Sequence, residues 1–96
     1  MFKYTKTTLD KLENLFKDME FSVRYEKGSF QSGYALVESK KIVVINKFFD
    51  TDGRINTLLE ILSKIEVDVA MLSERSDKFF KEFQKYYVEA ETNSEV

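Results

Sequence analysis

Histidine, cysteine and proline are all absent from this chain, which has only three glycines in its 96 residues. Without cysteine it can form no disulfide and no thiolate metal site, a composition that fits a reducing compartment. Without histidine it lacks the side chain that most often binds zinc or transfers protons near neutral pH. Because no proline breaks a helix or strand, hydrophobic periodicity is the main guide to secondary structure.

Charge and hydropathy indicate one small soluble domain. A net charge of -2 with both signs interspersed gives no basic field for nucleic acid or anionic lipid. The apolar run at residues 42–45 is far shorter than the roughly 20 residues of a membrane helix, and the start MFKYTK lacks the apolar region of a signal peptide. We therefore expect a cytoplasmic protein with no membrane partner, a single α+β domain over residues 1–90 and a frayed polar tail at 91–96.

Three segments have the apolar spacing of amphipathic helices. The first covers residues 7–19, with Thr7 or Thr8 as the expected N-cap, and no glycine marks its end. The second follows the acidic turn DTDG and has an apolar stripe of Ile55, Leu58, Leu59, Leu62 and Ile65. The third covers residues 73–91 and has on one side Phe79, Phe83, Tyr86 and Ala90.

The segment between the first two helices predicts three strands. Residues 21–26 alternate between apolar and polar, and residues 30–38 form a second strand with a bulge at Gly33. The run IVVIN at 42–46 is continuous and β-branched, which is typical of a strand that is central or covered on both faces. We expect an α+β fold of order α-β-β-β-α-α, a three-stranded antiparallel meander packed with helices, with core residues Phe21, Val23, Tyr34, Leu36, Val44, Leu58, Leu62 and Phe83.

The acidic turn DTDG can be compared with a calcium-binding EF-hand loop. With Gly53 at loop position six, Asp50 and Asp52 fall at positions three and five. Phe48 and Leu59 then occupy positions one and twelve, where the loop needs acidic ligands. We therefore interpret the turn as a helix N-cap with favourable dipole charges, and we expect no metal and no cofactor.

The helix entered through RINTLLEIL, after a helix and a meander, resembles the minimal core of HExxH zinc peptidases, in which a helix beginning RFTLAHE follows the sheet. In that comparison Arg54 and Glu60 match the arginine and the catalytic glutamate. Leu59 and Ser63 stand where both zinc-binding histidines should be, so the resemblance implies a catalytically inactive core with a peptide or ligand groove at Arg54 and Glu60. The residues alone favour Glu60 as an exposed side chain beside the leucine face.

The stretch GSFQSGYALVESKKIVVINKFFDTDGRINTLLEIL is also similar to a small family of uncharacterised bacterial proteins. This resemblance supplies no activity. It implies a stand-alone protein of about this length.

A nucleic-acid-binding function is the less favoured alternative. Double-stranded-RNA-binding domains also run α-β-β-β-α and contact phosphates from the start of the last helix. Here that turn is FFDTDGR, which is acidic where phosphate would approach, and Lys40 and Lys41 form only a hairpin tip.

Aromatic residues are abundant, with nine Phe and five Tyr, and six of them form the adjacent pairs Phe48/Phe49, Phe79/Phe80 and Tyr86/Tyr87. Neighbours on a helix point 100° apart, so we expect one ring of each pair to be peripheral or exposed. Either the third helix buries a wide stripe, or the spare rings form a partner surface. We expect a non-enzymatic protein-protein interaction or self-association module, commonly a homodimer, with possible interface residues Phe80, Tyr87 and Phe49.

Overall fold

A computed structural model describes the backbone of residues 3–27 and 34–94, and the side chains as far as residue 85. The described elements are α1 (Lys6–Asp18), β1 (Ser22–Glu26), β2 (Tyr34–Val37), β3 (Ile42–Asn46), α2 (Thr51–Lys64) and α3 (Glu74–Ser94). Two 3-10 turns lie at Glu38–Lys40 and Val69–Met71. The predicted α+β class is confirmed. The predicted bulge at Gly33 lies outside the described residues, and α3 extends through residues 91–94 of the predicted tail.

The three strands form a mixed sheet in the order β1-β3-β2. β2 is antiparallel to β3, whereas β1 is parallel to β3. The predicted antiparallel meander is therefore wrong. Seven residues, 27–33, separate β1 from β2, which is more than the two to five residues of a typical hairpin loop, so these strands need not be neighbours. β3 occupies the position between them.

The helices cover one face of the sheet. In the central strand β3, Val43 and Ile45 are fully buried, while Ile42 and Val44 are only partly buried. Successive residues of a strand point to opposite faces, so Val44 lies on the face away from the helices. Its prediction as a core residue is wrong for this reason. β3 is central, as its β-branched run predicts, but its second face is not covered by the described helices.

The core lies between the sheet and the helices. Leu58, Leu62 and Phe83 are buried as predicted, and Phe21, Val23, Tyr34 and Leu36 are partly buried and pack against the core. α1 contacts both α2 and α3 and lies against β1. Among the described residues, the largest fully buried side chains are Leu12, Leu15, Phe16, Val43, Ile45, Ile55, Leu58 and Ile61.

Side-chain oxygens cap the first two helices. α1 begins one residue earlier than predicted, so its N-cap is Thr5 rather than Thr7 or Thr8, and the Thr8 N–H donates to the Thr5 hydroxyl at 3.3 Å. The N-cap of α2 is Asp50, whose carboxylate accepts the Gly53 N–H at 2.9 Å. The interpretation of the acidic turn as a helix cap is confirmed.

α1 ends in a Schellman motif that lacks the usual glycine. The Glu20 N–H donates to the Lys17 carbonyl and the Phe21 N–H donates to the Phe16 carbonyl, both at 2.9 Å. Glu20 adopts the left-handed conformation with φ of 67°. The ring of Phe21 packs edge-on against that of Phe16, with 5.8 Å between centroids. This tight turn leads from α1 directly into β1, which packs against the same helix.

Replacing Glu20 with glycine should raise the free energy of unfolding by about 1 kcal/mol, because glycine adopts positive φ without the steric cost of a Cβ atom. The measurement is urea denaturation. The control is Lys17→Gly in the last turn of α1, which should lower stability by about 0.5–1 kcal/mol since its backbone is helical. Destabilisation of similar size in both variants would contradict the assigned turn.

Candidate functional site

Arg54, predicted as a groove residue, holds the loop between β3 and α2 against β1. Its Nε donates to the Phe49 carbonyl at 3.1 Å and its Nη2 donates to the Lys47 carbonyl at 3.0 Å. The guanidinium carbon also lies 4.2 Å from the centre of the Tyr25 ring, which is a cation–π geometry. The described contacts of Arg54 are therefore those of a residue that fixes the backbone.

Glu60, the other predicted groove residue, is exposed and lies 3.7 Å from the Lys64 ammonium. Lys64 in turn donates to the Tyr34 hydroxyl at 2.9 Å, and this bond and the Glu60 carboxylate raise the pKa of Lys64. Tyr34 belongs to β2, whereas the Arg54 side chain contacts β1, at the opposite edge of the sheet. The structure does not bring Arg54 and Glu60 together.

The aromatic pairs behave differently from one another. Phe79 and Phe80 are both buried, at 5% and 7% exposure, so the expectation that one of these rings is exposed is wrong. The reason is that α3 buries a wide arc: Phe79 lies under the Lys11 ammonium of α1, and Phe80 stacks on Phe83 at 6.1 Å.

The other two pairs were also expected to contribute interface residues. Phe48 is 69% exposed, while Phe49 is half-buried and packs against the core. Tyr87 lies within α3, but its side chain is outside the described residues, as is that of Tyr86. Among the predicted interface residues, Phe80 and Phe49 therefore both have packing roles within the chain.

Tyr25 connects β1 to α1. Its hydroxyl donates a hydrogen bond to the Glu13 carboxylate, while its ring packs under Arg54. Burial and the hydrogen bond to Glu13 raise the pKa of Tyr25 above its ordinary value. The phenol therefore stays protonated at neutral pH and acts as a donor. This places Tyr25 among the residues that position β1 rather than among candidate proton acceptors.

Asp18 joins the end of α1 to the start of α3. Its carboxylate accepts the Ser73 N–H at 3.0 Å, and Ser73 caps α3 by accepting the Ser76 N–H at 3.2 Å. Hydrogen bonds from the Ser73 backbone and the Ser76 hydroxyl hold the pKa of Asp18 below its ordinary value of 3.8. The negative charge also lies near the positive end of the α3 dipole.

Replacing Asp18 with alanine should lower the free energy of unfolding by about 1 kcal/mol at neutral pH, because α3 loses a charged acceptor at its start. A depressed pKa means that this stabilisation is complete above the unfolded pKa and is lost as the pH falls. Urea denaturation should therefore show the difference from wild type shrinking below about pH 4. The control is Glu66→Ala, an exposed carboxylate between α2 and the second 3-10 turn. A pH-independent difference would contradict the assignment.

One edge of β1 has no strand beside it in the described part of the chain. We call this side of Ser22–Glu26 the free edge. The Ser22 N–H donates to the Lys41 carbonyl at 2.8 Å, and the Glu26 carbonyl accepts the Lys47 N–H at 3.1 Å. Alternate residues of a parallel ladder direct both backbone groups to the same neighbour, so Ser22, Arg24 and Glu26 face β3. Val23 and Tyr25 therefore direct their N–H and C=O groups toward the free edge.

An open groove of about 620 Å³ follows this edge. α1 supplies one wall with Glu13, Asn14 and Lys17, and residues 21–25 supply the other. A larger groove of about 1000 Å³ lies between α1 and α3, where side chains of both charge signs alternate along its walls. Of these two grooves, the first is the one that lies beside backbone groups of a strand with no partner among the described residues, which is the arrangement used for strand addition.

The predicted meander also has β1 at an edge of the sheet, but it pairs β1 with β2 and does not specify which backbone groups of β1 point outward. Alternation along residues 21–26 indicates which side chains share a face, but it carries no information about which strands are neighbours. The sequence feature that could have indicated a site on this strand is the pair Arg24 and Glu26, two opposite charges spaced by two on its polar side.

Comparisons with protein-family models, curated proteins and solved structures found no match to this chain. In the described residues, no group of three or more acidic side chains is arranged to hold a metal ion. Across the same residues, no helix has both the length and the apolar character needed to cross a bilayer. The proposal for its function therefore depends on the geometry of the free edge and its groove.

Proposed function

We propose that this protein is a non-enzymatic interaction module that binds an extended polypeptide along the free edge of β1. The observation that carries the proposal is the outward direction of the N–H and C=O groups of Val23 and Tyr25 beside the groove between β1 and α1. An added strand would pair with these four groups, and each backbone hydrogen bond contributes about 0.5–1.5 kcal/mol net.

The remaining contacts described above support this role by keeping β1 in place. Tyr25 is held by Glu13 of α1 and by Arg54 of α2, so the edge strand is fixed from two helices. The Schellman turn at Glu20 fixes the start of the same strand. A binding edge that is already rigid loses little conformational entropy on association. This edge is preferred to the aromatic surface expected on α3, where Phe80 is buried and the Tyr87 side chain lies outside the described residues.

The test is Val23→Pro, which removes an outward N–H and leaves the β1–β3 hydrogen bonds in place. Proline is tolerated on edge strands whose N–H faces solvent. The matched control is Val23→Ala, which reduces the same half-buried side chain but keeps the N–H. Circular dichroism and urea denaturation establish that both variants fold.

The binding probe is a library of extended random peptides selected against the wild-type protein. We expect the selected peptides to shift the amide resonances of Val23 and Tyr25 and to bind Val23→Pro at least about tenfold more weakly than Val23→Ala. Selection of no peptide, or of peptides that bind both variants equally, would refute the proposal.

A further inference from the structure

The polar face of β1 carries two opposite charges. Ser22, Arg24 and Glu26 are exposed on the side of the sheet away from the helices, while Val23 and Tyr25 point toward the core. A strand with a positive and a negative residue separated by one position is complementary to itself when a second copy runs antiparallel, provided that the register places each charge opposite the other.

The direction of the backbone groups restricts that register. Only Val23 and Tyr25 point to the free edge within β1, so they must pair with outward-pointing residues of the added strand. If both outward-pointing residues of a pair lie within β1, an antiparallel pair of β1 strands can be centred on Val23, Arg24 or Tyr25. Each of these three registers places a different residue opposite Arg24.

Charge distinguishes the three registers. Centring on Arg24 places that residue opposite its own copy, which is repulsive, and centring on Val23 places Arg24 opposite a serine. Centring on Tyr25 places Arg24 opposite the partner's Glu26, and the two-fold axis forms this pair twice. These are non-hydrogen-bonded positions, where Cα atoms lie closest, at about 4.5 Å. A parallel arrangement is not available to a two-fold pair of these edges, because each outward-facing residue of one strand would have to lie opposite an inward-facing residue of the other.

We propose that the polypeptide bound by the free edge is β1 of a second copy of this chain, in the antiparallel register centred on Tyr25. The two sheets would join into one six-stranded sheet with a closed two-fold interface. This inference rests on the proposed function, because it names the occupant of the same edge. The other edge strand, β2, has the sequence YALV and carries no charge that would fix a register.

The expected dimer is concentration-dependent. Two five-residue strands and the flanking groove are smaller than the roughly 1,200–2,000 Å² interface of a stable complex. We expect a dissociation constant on the order of 10–100 μM. Sedimentation velocity over a range bracketing that value should show wild-type monomer at low concentration and dimer at high concentration.

The decisive variants exchange the two charges. Arg24→Glu places glutamate opposite the partner's Glu26 twice, and Glu26→Arg places arginine opposite the partner's Arg24 twice. Each single variant should therefore dimerise at least about tenfold more weakly than wild type. The double variant Arg24→Glu/Glu26→Arg should recover wild-type dimerisation. All of these side chains are exposed, and urea denaturation checks that each variant folds.

Mixing the two single variants gives the sharpest outcome. In the mixed dimer each glutamate faces an arginine, so Arg24→Glu and Glu26→Arg should associate with each other although neither associates with itself. Single variants that dimerise like wild type, a double variant that fails to recover, or wild type that stays monomeric at millimolar concentration would each overturn the inference. The peptide selection with Val23→Pro decides the proposed function separately, because it requires no second copy.

Discussion

Replacing Phe16 with alanine is expected to lower the free energy of unfolding by about 4 kcal/mol. Phe16 is the largest fully buried side chain of the core, and its ring packs edge-on against Phe21 at the turn into β1. Alanine would leave a cavity where α1 meets the sheet, and the surrounding side chains can close it only in part. A loss of this size is a large share of the roughly 5–15 kcal/mol of a typical domain. Urea denaturation at neutral pH measures it.

The matched control for Phe16→Ala is Phe48→Ala. Phe48 is 69% exposed, and its described ring contact is with the Lys47 ammonium, 5.5 Å from the centroid. Its replacement should change stability by less than about 0.5 kcal/mol. If the two variants lost similar stability, the placement of the core between α1 and the sheet would be wrong.

Replacing Arg54 with alanine is expected to cost about 2–3 kcal/mol. The variant removes two hydrogen bonds from a charged donor to the carbonyls of Lys47 and Phe49, and it removes the cation–π contact with Tyr25. Because the Arg54 side chain is partly exposed, water compensates for part of this loss. Arg54→Lys should cost nearly as much, since an ammonium cannot reproduce the planar fork of donors. Urea denaturation of both variants gives the comparison.

Glu60→Ala is the control for Arg54→Ala. It tests whether Arg54 has a structural role that Glu60, the other predicted groove residue, does not share. Glu60 is exposed, and its described ion pair is the 3.7 Å contact with Lys64 on the surface of α2. Solvent screens such an exposed pair, so the loss of Glu60 should change stability little. Equal and small effects of Arg54→Ala and Glu60→Ala on stability would contradict the positioning role of Arg54.

The helices were largely predictable from the sequence, and so was the cap of α2, whereas the predicted cap of α1 was two or three residues too late. Apolar spacing located the buried stripe of α2, and Asp50 caps that helix as the acidic turn indicated. The end of α1 was harder to predict because Glu20 occupies the left-handed position that glycine usually marks. Two backbone hydrogen bonds and the contact between Phe16 and Phe21 stabilise the turn at Glu20.

Strand pairing was not predictable from the same patterns. A period of two specifies which residues share a face, and Val23 accordingly packs against the core. It does not specify that β3 inserts between β1 and β2, because that order depends on contacts between residues distant in sequence. The assignment of Val44 to the core was wrong for a related reason. Every residue in a continuous β-branched run is apolar or nearly so, and the run therefore does not indicate which residues face the core.

The candidate site depends on which backbone groups of β1 point outward, and this follows from the parallel pairing with β3, which the sequence did not predict. Arg24 and Glu26 lie on the polar side of β1, and the register of their self-complementary pairing can be derived only once those outward groups are known. Phe80 illustrates the opposite error. Its adjacency to Phe79 suggested a spare ring, but α3 buries both side chains in the core.

Hydrogen exchange of the β1 amides is the most direct test of the free edge. At about 1 μM, well below the expected dissociation constant, the N–H groups of Arg24 and Glu26 should exchange slowly because they pair with β3, while those of Val23 and Tyr25 should exchange rapidly. At about 1 mM all four should be protected, because β1 of a second copy then covers the edge. Slow exchange of Val23 and Tyr25 in the dilute sample, or rapid exchange of both at high concentration, would contradict this account.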